Sequence, residues 1–523
     1  MQRKNGKKNF VRTLCFTLAL CFAFSFSACA ELFTGLVSNS SAVRPSTEED
    51  TNFDESHSDK NSLEKEESDL ENSGDTNTED SDSVSDEERE ETPVEPIVVP
   101  QAVTEKYGYK QLGAYENEGL CAVYEQLYEQ ANAFFNSTQD LQPTDGGKLG
   151  VRYRLGAIEY AKEGLTLAQM TAVWKTFRSE YPEFYFLSNV YAYSDSTFYL
   201  EIYTQYAKYV NRYAVETRLK NLVKDCASYI AENATDEEKL IILHDFVAAQ
   251  VDYAFKADGV TPSDEVWAHN LAGAALYGKG VCETYAETFD YLCGAFGLEC
   301  LTVVGDAGED GQWGPHAWNI IRLNEGAEES WHSVDITWDD AGSSEGFLLR
   351  KWLGVNAEDY KNTHIADRPI EEWGVNWQAA LPKLSEKPLS PVLLRENGGE
   401  AKWCLSIDSA FEKMMNEDSR YEITLYPSTQ IAKKHGLTVY PRWAEFTMEE
   451  LPKAVQIKIT GASVFVSETE YYPCEITAVN PLALGCETVL DGCTLYAEMS
   501  LANADRYLNC ENDGAWKLYK KVE

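Results

Sequence analysis

The apolar positions divide the chain into stretches of different period. "GLCAVYEQLYEQANAFF" (119–135) and "TLAQMTAVWKTFRSEYP" (166–182) repeat apolar residues every three or four positions and predict helices. "FYFLSNVYAYSD" (184–195) and "TFYLEIYTQYA" (197–207) alternate, which predicts strands. "AVETRLKNLVKDCASYIAENA" (214–234) returns to helical spacing. Thr235 then opens "TDEEKLIILHDFVAAQVDYAF", where Thr235 and Glu238 make a capping box and Asp236, Glu237 and Glu238 suit the positive helix end. Leu240, Leu243, Val247 and Val251 share one face of that helix, with Phe246 beside them.

After a loop rich in Gly, Ala, Ser and Asn, the pattern changes. Gly278 and Gly280 permit a tight turn. From Cys282 the positions Tyr285, Phe289, Leu292, Cys293 and Phe296 mark a helix over 282–296, ended by Gly297. Short strands follow in "LECLTVVGDA", "HAWNIIRL" and "WHSVDITW". Pro388 and Pro391 mark a boundary, after which 392–523 alternates in short runs such as "RYEITLYPS" and "AVQIKITG". The expected class is α+β. Helices pack on an antiparallel sheet over 235–385, between a mixed α/β domain at 98–234 and a β-rich accessory module at 392–523.

Charge adds a tether to this picture. Of the formal net charge of −41, residues 46–97 supply −18, from 21 acidic and three basic residues. Almost no apolar residue interrupts them, so 30–97 is expected to be a disordered acidic linker. The rest of the body is acidic too, which excludes nucleic acid as a partner, because that needs a basic footprint. Ahead of the linker, Arg3, Lys4, Lys7, Lys8 and Arg12 precede the apolar run "LCFTLALCFAFSF" (14–26). That is the layout of a signal peptide, and the run is short for a membrane span. Ser27-Ala28-Cys29 resembles a bacterial lipoprotein cleavage site over 1–29, with Cys29 as the lipidated residue. The alternative is an A-x-A site cleaved after Ala30 without lipid. Both place the protein outside the cytoplasm, on the outer face of the membrane or secreted.

Thirteen cysteines are present and no C-x-x-C pair, so the zinc and knottin readings are weak. Cys486 with Cys493, and Cys474 with Cys510, are open disulfide possibilities. Cys282 admits three readings: a buried hydrophobe, half of a disulfide, or a nucleophile. Its place in the first turn of a helix favours the third, because unpaired N–H groups and the helix dipole stabilise a thiolate there. The same N–H groups can hold an oxyanion.

A nucleophilic cysteine needs a base, and the base an orienter. "HAWNIIRL" and "WHSVDITW" flank "NEGAEES" (324–330), a plausible hairpin loop. With pairing centred between Glu325 and Gly326, His316 faces Asp335 and His332 faces Asn319. A carboxylate there would fix one imidazole tautomer while the other nitrogen meets the thiol. The remaining histidines compete poorly. His244 reads as a surface or interhelical contact, and His364 and His435 as loop residues without an obvious partner. Trp313, Trp318, Trp331 and Trp338 crowd the two motifs, either as substrate-lining residues or as ordinary strand aromatics.

"YGKGVCETYAETFDYLCGAFGLECLTVVGDA", "GPHAWNIIRL" and "WHSVDITWDDAG", in that order, resemble the core of the transglutaminase-like superfamily. The resemblance implies a papain-like fold, with Cys282 as nucleophile, His316 as general base and acid, and Asp335 as the orienting acid. It also implies an oxyanion-hole side chain upstream of the cysteine, for which Trp267, His269 and Asn270 are the candidates, with Trp318 as a candidate for lining the substrate. No calcium loop is recognisable, so neither metal nor cofactor is expected. The substrate expected is a protein or peptide amide, cell-wall-associated ones included. A thioester would then be resolved by water or by an amine. The rival reading is a non-catalytic adhesion or scaffold lipoprotein that keeps the fold.

Overall fold

The structure is a computed structural model. It describes residues 98–441 apart from 116, 146–150, 190, 310–311, 326–327, 341–345, 367–380, 415–418, 420 and 426. Beyond 441 it describes backbone only, in strand segments between 446 and 518. The signal, the acidic linker, Cys29 and the proposed C-terminal cysteine bridges lie outside what is described. Six cysteines are described, Cys121, Cys226, Cys282, Cys293, Cys300 and Cys404, each as a thiol outside any disulfide.

The N-terminal part packs helices α1 (Glu118–Phe135), α2 (Leu167–Glu180) and α3 (Tyr209–Ala227) with a four-stranded antiparallel sheet. Strands β1 (Val151–Ile158) and β2 (Phe198–Ile202) form its centre. One expectation fails here: of 184–195 only Ala192–Tyr193 is strand. Phe184, Tyr185, Phe186 and Leu187 are buried in succession, so both sides of that segment are core and no alternation is needed.

Helix α4 (Asp236–Gln250) begins at the expected capping box of Thr235 and Glu238, each side chain meeting the other's backbone N–H. It is buried on more than a stripe: Ile241, His244, Asp245 and Ala248 are as enclosed as Leu240, Leu243 and Val247. Helix α5 runs Cys282–Ala295. Two glycines make the approach to it possible. Gly278 takes the left-handed conformation at φ +60°, and a Cβ at Gly280 would lie 2.2 Å from the Thr284 side chain.

Strands β3 (Cys300–Glu309), β4 (Gln312–Glu325) and β5 (Glu328–Val334) form an antiparallel sheet. The chain continues through a four-residue helix, α6 (Ile336–Asp339), then β6 (Phe347–Arg350) and α7 (Ala357–Thr363). Strand β7 (His364–Ala366) closes the outer edge by pairing with β3. Helix α5 packs on the face carrying Val304, Ala317, Ile321 and Leu323. The opposite face carries Leu301, Val303, Trp318 and Ile320.

The β4–β5 register differs from expectation by two residues. Asn319 faces Val334 and His332 faces Ile321, because the pairing continues out to Glu325 and Glu328. Polar residues taken for loop are strand, which leaves a two-residue connection at 326–327. A shift of two keeps every side chain on its own face, so the consequence for the site is small.

The C-terminal part carries a seven-stranded mixed sheet with strands from Val392–Glu396 to Ala515–Leu518. It is also knitted into the preceding part. Strand β6 pairs in parallel with Thr438–Pro441, and Leu405, Ile431 and Val439 share one continuous core with α4 and α5.

Burial leaves acids in that core. Asp290 on α5 is pushed up to about 8 by desolvation, although Lys106 and the Thr302 hydroxyl at 3.0 Å oppose the shift. A raised carboxyl favours the folded state when protonated, so its contribution is complete below the usual carboxylate range and is lost as pH rises toward 8. Asp290→Asn should therefore raise the melting temperature at pH 8 and leave it nearly unchanged at pH 4, as read by thermal denaturation at the two values.

Candidate active site

Cys282 is the first residue of α5; Thr284 N donates to Val281 O at 2.9 Å, and the N–H groups of Cys282 and Glu283 precede this first bond of the helix. No side chain caps this end: Val281, at the cap position, has nothing to offer. The thiol is buried, 6 % exposed, and clusters with Ala286, Val304 and Ala317. Ala317 follows His316 on β4, so the helix start carrying the thiol packs on the strand segment that carries the imidazole.

His316 Nε2 donates to Asp335 Oδ2 at 2.8 Å, with both side chains buried. Carboxylate oxygens only accept, so the proton sits on Nε2 and Nδ1 is the basic nitrogen when the ring is neutral. The contact is a diagonal one. Asp335 is not opposite His316 in a ladder; it is the first residue past β5 and the N-cap of α6, accepting from Trp338 N at 3.2 Å through Oδ1. The expected strand over "WHSVDITW" therefore ends at Val334, because an aspartate followed by a free N–H three residues on starts a helix. Burial alone would raise the Asp335 carboxyl, but the charge and hydrogen bond of His316, and then those of His364, hold it well below the usual range.

His364 is the residue that sequence reasoning missed. It is not in a loop but begins β7, opposite Ala307. Its Nε2 donates to the same Asp335 Oδ2 at 3.2 Å, and Thr363 Oγ1 lies 2.9 Å from its Nδ1. Aromatic rings enclose it. Tyr360 stacks at 5.3 Å and 6°, and Trp318 and Trp338 each lie 4.9 Å away. Trp352 completes the enclosure at 5.6 Å. Ligand atoms of His316, Asp335 and His364 lie within 4.8 Å of one another, a spacing that suits a metal ion. The chemistry argues otherwise: one carboxylate oxygen already accepts two N–H bonds, and the rings close the approach.

The four tryptophans separate. Trp318 and Trp338 flank His316 at 6.1 and 5.5 Å, whereas Trp331 packs on Tyr107 and Trp313 is 38 % exposed. Trp318 is buried, with its Nε1 donating to Tyr360 OH at 3.0 Å, so it walls the imidazole rather than lining an open groove.

The upstream candidates are placed as follows. Asn270 is fully committed to its own turn: its Oδ1 accepts from Ala272 N and Tyr206 OH, and its Nδ2 donates to Val266 O. Trp267 stacks on Tyr277 at 4.3 Å. His269 bonds Glu283 through Nδ1 and donates to Ser263 O at 3.0 Å through Nε2. A ring with acceptors at both nitrogens is an imidazolium. Burial disfavours that charge, but the Glu283 carboxylate outweighs it and raises the group. His269 thus places a positive charge beside the residue following Cys282.

Of the two readings of His244, the structure shows the interhelical contact and not the surface one. This histidine is wholly buried between Asp245 Oδ1, at 3.1 Å, and Asp339 Oδ2, at 3.0 Å. Asp245 in turn takes a two-pronged bond from Arg350 at 3.1 and 2.6 Å. Asp339 is the last residue of α6, the helix that Asp335 caps, so this buried chain anchors the far end of the element carrying the acid.

Residues 224–336 match the transglutaminase-like superfamily. This segment is a transglutaminase-like superfamily domain. Kyphoscoliosis peptidase of Homo sapiens is 28 % identical over 187 residues, 34 % of this chain and 26 % of that protein. The Mus musculus protein of the same name is 26 % identical over 161 residues, 28 % of this chain and 23 % of its own. The chain thus spans about a quarter of the length of these curated relatives. Two solved structures are similar at 18 % identity. One, of a TGase, overlaps 29 % of this chain and 43 % of that one with a TM-score of 0.20. The other, of a candidate cysteine protease from Cytophaga hutchinsonii, overlaps 24 % and 38 % with a TM-score of 0.18. Likeness of that extent decides nothing about activity.

Proposed function

We propose that this protein is a thiol enzyme acting on protein or peptide amides, with Cys282 as nucleophile, His316 as base and acid, and Asp335 as orienter. The observation that carries the reading is the buried 2.8 Å His316–Asp335 bond beside a helix that begins at Cys282. His316 Nδ1 takes the thiol proton, and the sulfur attacks the carbonyl carbon. First-turn N–H groups of α5 stabilise the oxyanion. The C–N bond breaks, the imidazolium returns its proton to the leaving nitrogen, and a thioester remains. Water or an amine then attacks that thioester, and the thiolate leaves.

The test uses iodoacetamide on the full chain at neutral pH, with the labelled cysteine mapped by mass spectrometry. Labelling at Cys282 is expected to be at least tenfold faster than at the other free cysteines and to lose that advantage in His316→Ala. Equal rates in the two proteins would mean a scaffold that retains the fold. A glutamine peptide with a labelled amine then separates the outcomes: incorporation marks a transferase, and free ammonia or a cut peptide without incorporation marks a hydrolase.

The site is proposed to work outside the cytoplasm, held to the membrane by lipid at Cys29 through the acidic linker, on cell-wall-associated protein or peptide. Metabolic labelling with an alkyne fatty acid should mark the wild type and not Cys29→Ala. Release of an unlabelled chain would indicate secretion after Ala30.

A further inference from the structure

Asp335 Oδ2 is shared by two imidazoles, and the proposed mechanism uses only one. Resting on that mechanism, we propose that His364 is a positioning residue. Its Nε2–H fixes the orientation of the Asp335 carboxylate and withdraws part of its hydrogen-bonding capacity, so that His316 is held in place but not held too tightly to give up its proton.

Three observations carry this. The first is the acceptor count. Oδ1 takes Trp338 N and Oδ2 takes both Nε2–H groups, so the carboxylate cannot rotate without breaking a bond on each oxygen. The second is that His364 is itself held. Thr363 Oγ1 meets its Nδ1, Tyr360 stacks parallel to the ring, and the β7–β3 pairing fixes its backbone. The third is burial. With His364 4 % exposed and Asp335 2 % exposed, water cannot substitute for the missing donor, so the number of protein donors sets the carboxylate's strength as an acceptor.

Among the described residues, the charged and titratable groups around the pair are few. Asp339 lies one turn along α6 and is tied to His244. Tyr360 of α7 accepts from Trp318. Cys282 starts α5 and packs against Val304 and Ala317 of the sheet. Asp306 of β3 neighbours Gly305, the partner of His316, and so points to the opposite face.

Sharing has a sign. Two donors on one oxygen weaken each other, so removing one strengthens the other. His364→Phe keeps an aromatic ring in the enclosure but removes the donor. His364→Gln keeps an N–H near the position of Nε2. In a Cys282→Ala background, ¹⁵N-histidine NMR is expected to show the His316 titration midpoint about one unit higher in His364→Phe than in the parent. In His364→Gln it is expected to stay within about a third of a unit of the parent. With Cys282 restored, His364→Phe should lower turnover about tenfold, with KM nearly unchanged.

A His316 midpoint unmoved in a folded His364→Phe would overturn the proposal and leave His364 as packing. Equal shifts in the Phe and Gln variants would overturn it as well. One equivalent of tightly bound zinc in the wild type would replace it with a metal site. The NMR test lacks the thiol, so it can succeed even where labelling shows Cys282 to be inactive, and the two failures are distinguishable.

Discussion

Replacing Asp335 with asparagine is expected to slow acylation of Cys282 by about 10³–10⁴-fold while leaving the chain folded. The fold should survive because asparagine is as good an N-cap as aspartate, and one oxygen is enough to accept from Trp338 N. The chemistry should not survive, because three donors point at this side chain and asparagine supplies one acceptor group. If its oxygen stays on Trp338 N, its NH₂ faces the Nε2 atoms of His316 and His364. Each ring must then carry its proton on Nδ1. For His316 that turns the nitrogen meant to accept the thiol proton into a donor. Loss by tautomer predicts that turnover falls far more than KM rises. Circular dichroism and melting temperature should match the wild type within a few degrees. Asp335→Ala should be slower still and less stable, since it also removes the cap. If Asp335→Asn keeps a tenth or more of the wild-type turnover, the carboxylate is not the orienter.

That prediction uses three residues picked from the sequence and one that was not. Cys282 was legible because its helix is amphipathic over four turns and opens abruptly after glycines. His316 and Asp335 were legible because they fall on strands that share a connection. The register was misjudged by two, since "NEGAEES" looks like loop when its outer residues are polar strand ends; a shift of one would have separated the pair. Asp335 also carried a second signal that went unread, since aspartate three residues before a free N–H is a helix cap. His364 had none. It lies 29 residues beyond Asp335 and opens a three-residue strand, too short for any period, and its partner is fixed only when β7 pairs with β3. Nor could periodicity reveal the role of His244: its helix face reads as apolar core, and only the fold brings Asp339 and Arg350 to it.

That buried chain gives the second large effect. Arg350→Ala is expected to destabilise the protein by about 3–5 kcal/mol, as measured by urea denaturation. Arg350 is 1 % exposed, bonds Asp245 through both Nε and Nη2, and donates through Nη1 to Pro427 O at 2.8 Å. Asp245 also accepts from Thr429 Oγ1 at 2.7 Å and bonds His244. Removing the guanidinium leaves a carboxylate without its main counter-charge in the core. Burial alone would raise that carboxyl, and Arg350 is the largest influence holding it far below the usual range. A depressed carboxyl stabilises the fold above the ordinary aspartate range, and the contribution is lost as pH falls through the lower folded value. The difference between wild type and Arg350→Ala should therefore be full at pH 7 and shrink below about pH 4. Replacing both partners, as Asp245→Leu with Arg350→Met, should cost less than either single change, because no charge is then left unpaired. The effect should also reach the active site. His244 loses a fixed neighbour, and its hold on Asp339 loosens at the end of the four-residue helix that Asp335 begins. At temperatures where Arg350→Ala is still folded, its turnover should fall about tenfold with the pH profile unchanged, which separates loosened positioning from a change in the reacting groups. Thr429 and Pro427 belong to the C-terminal part, so Thr429→Val, which removes one donor to Asp245, should destabilise in the same direction as Arg350→Ala and by less in the same urea denaturation.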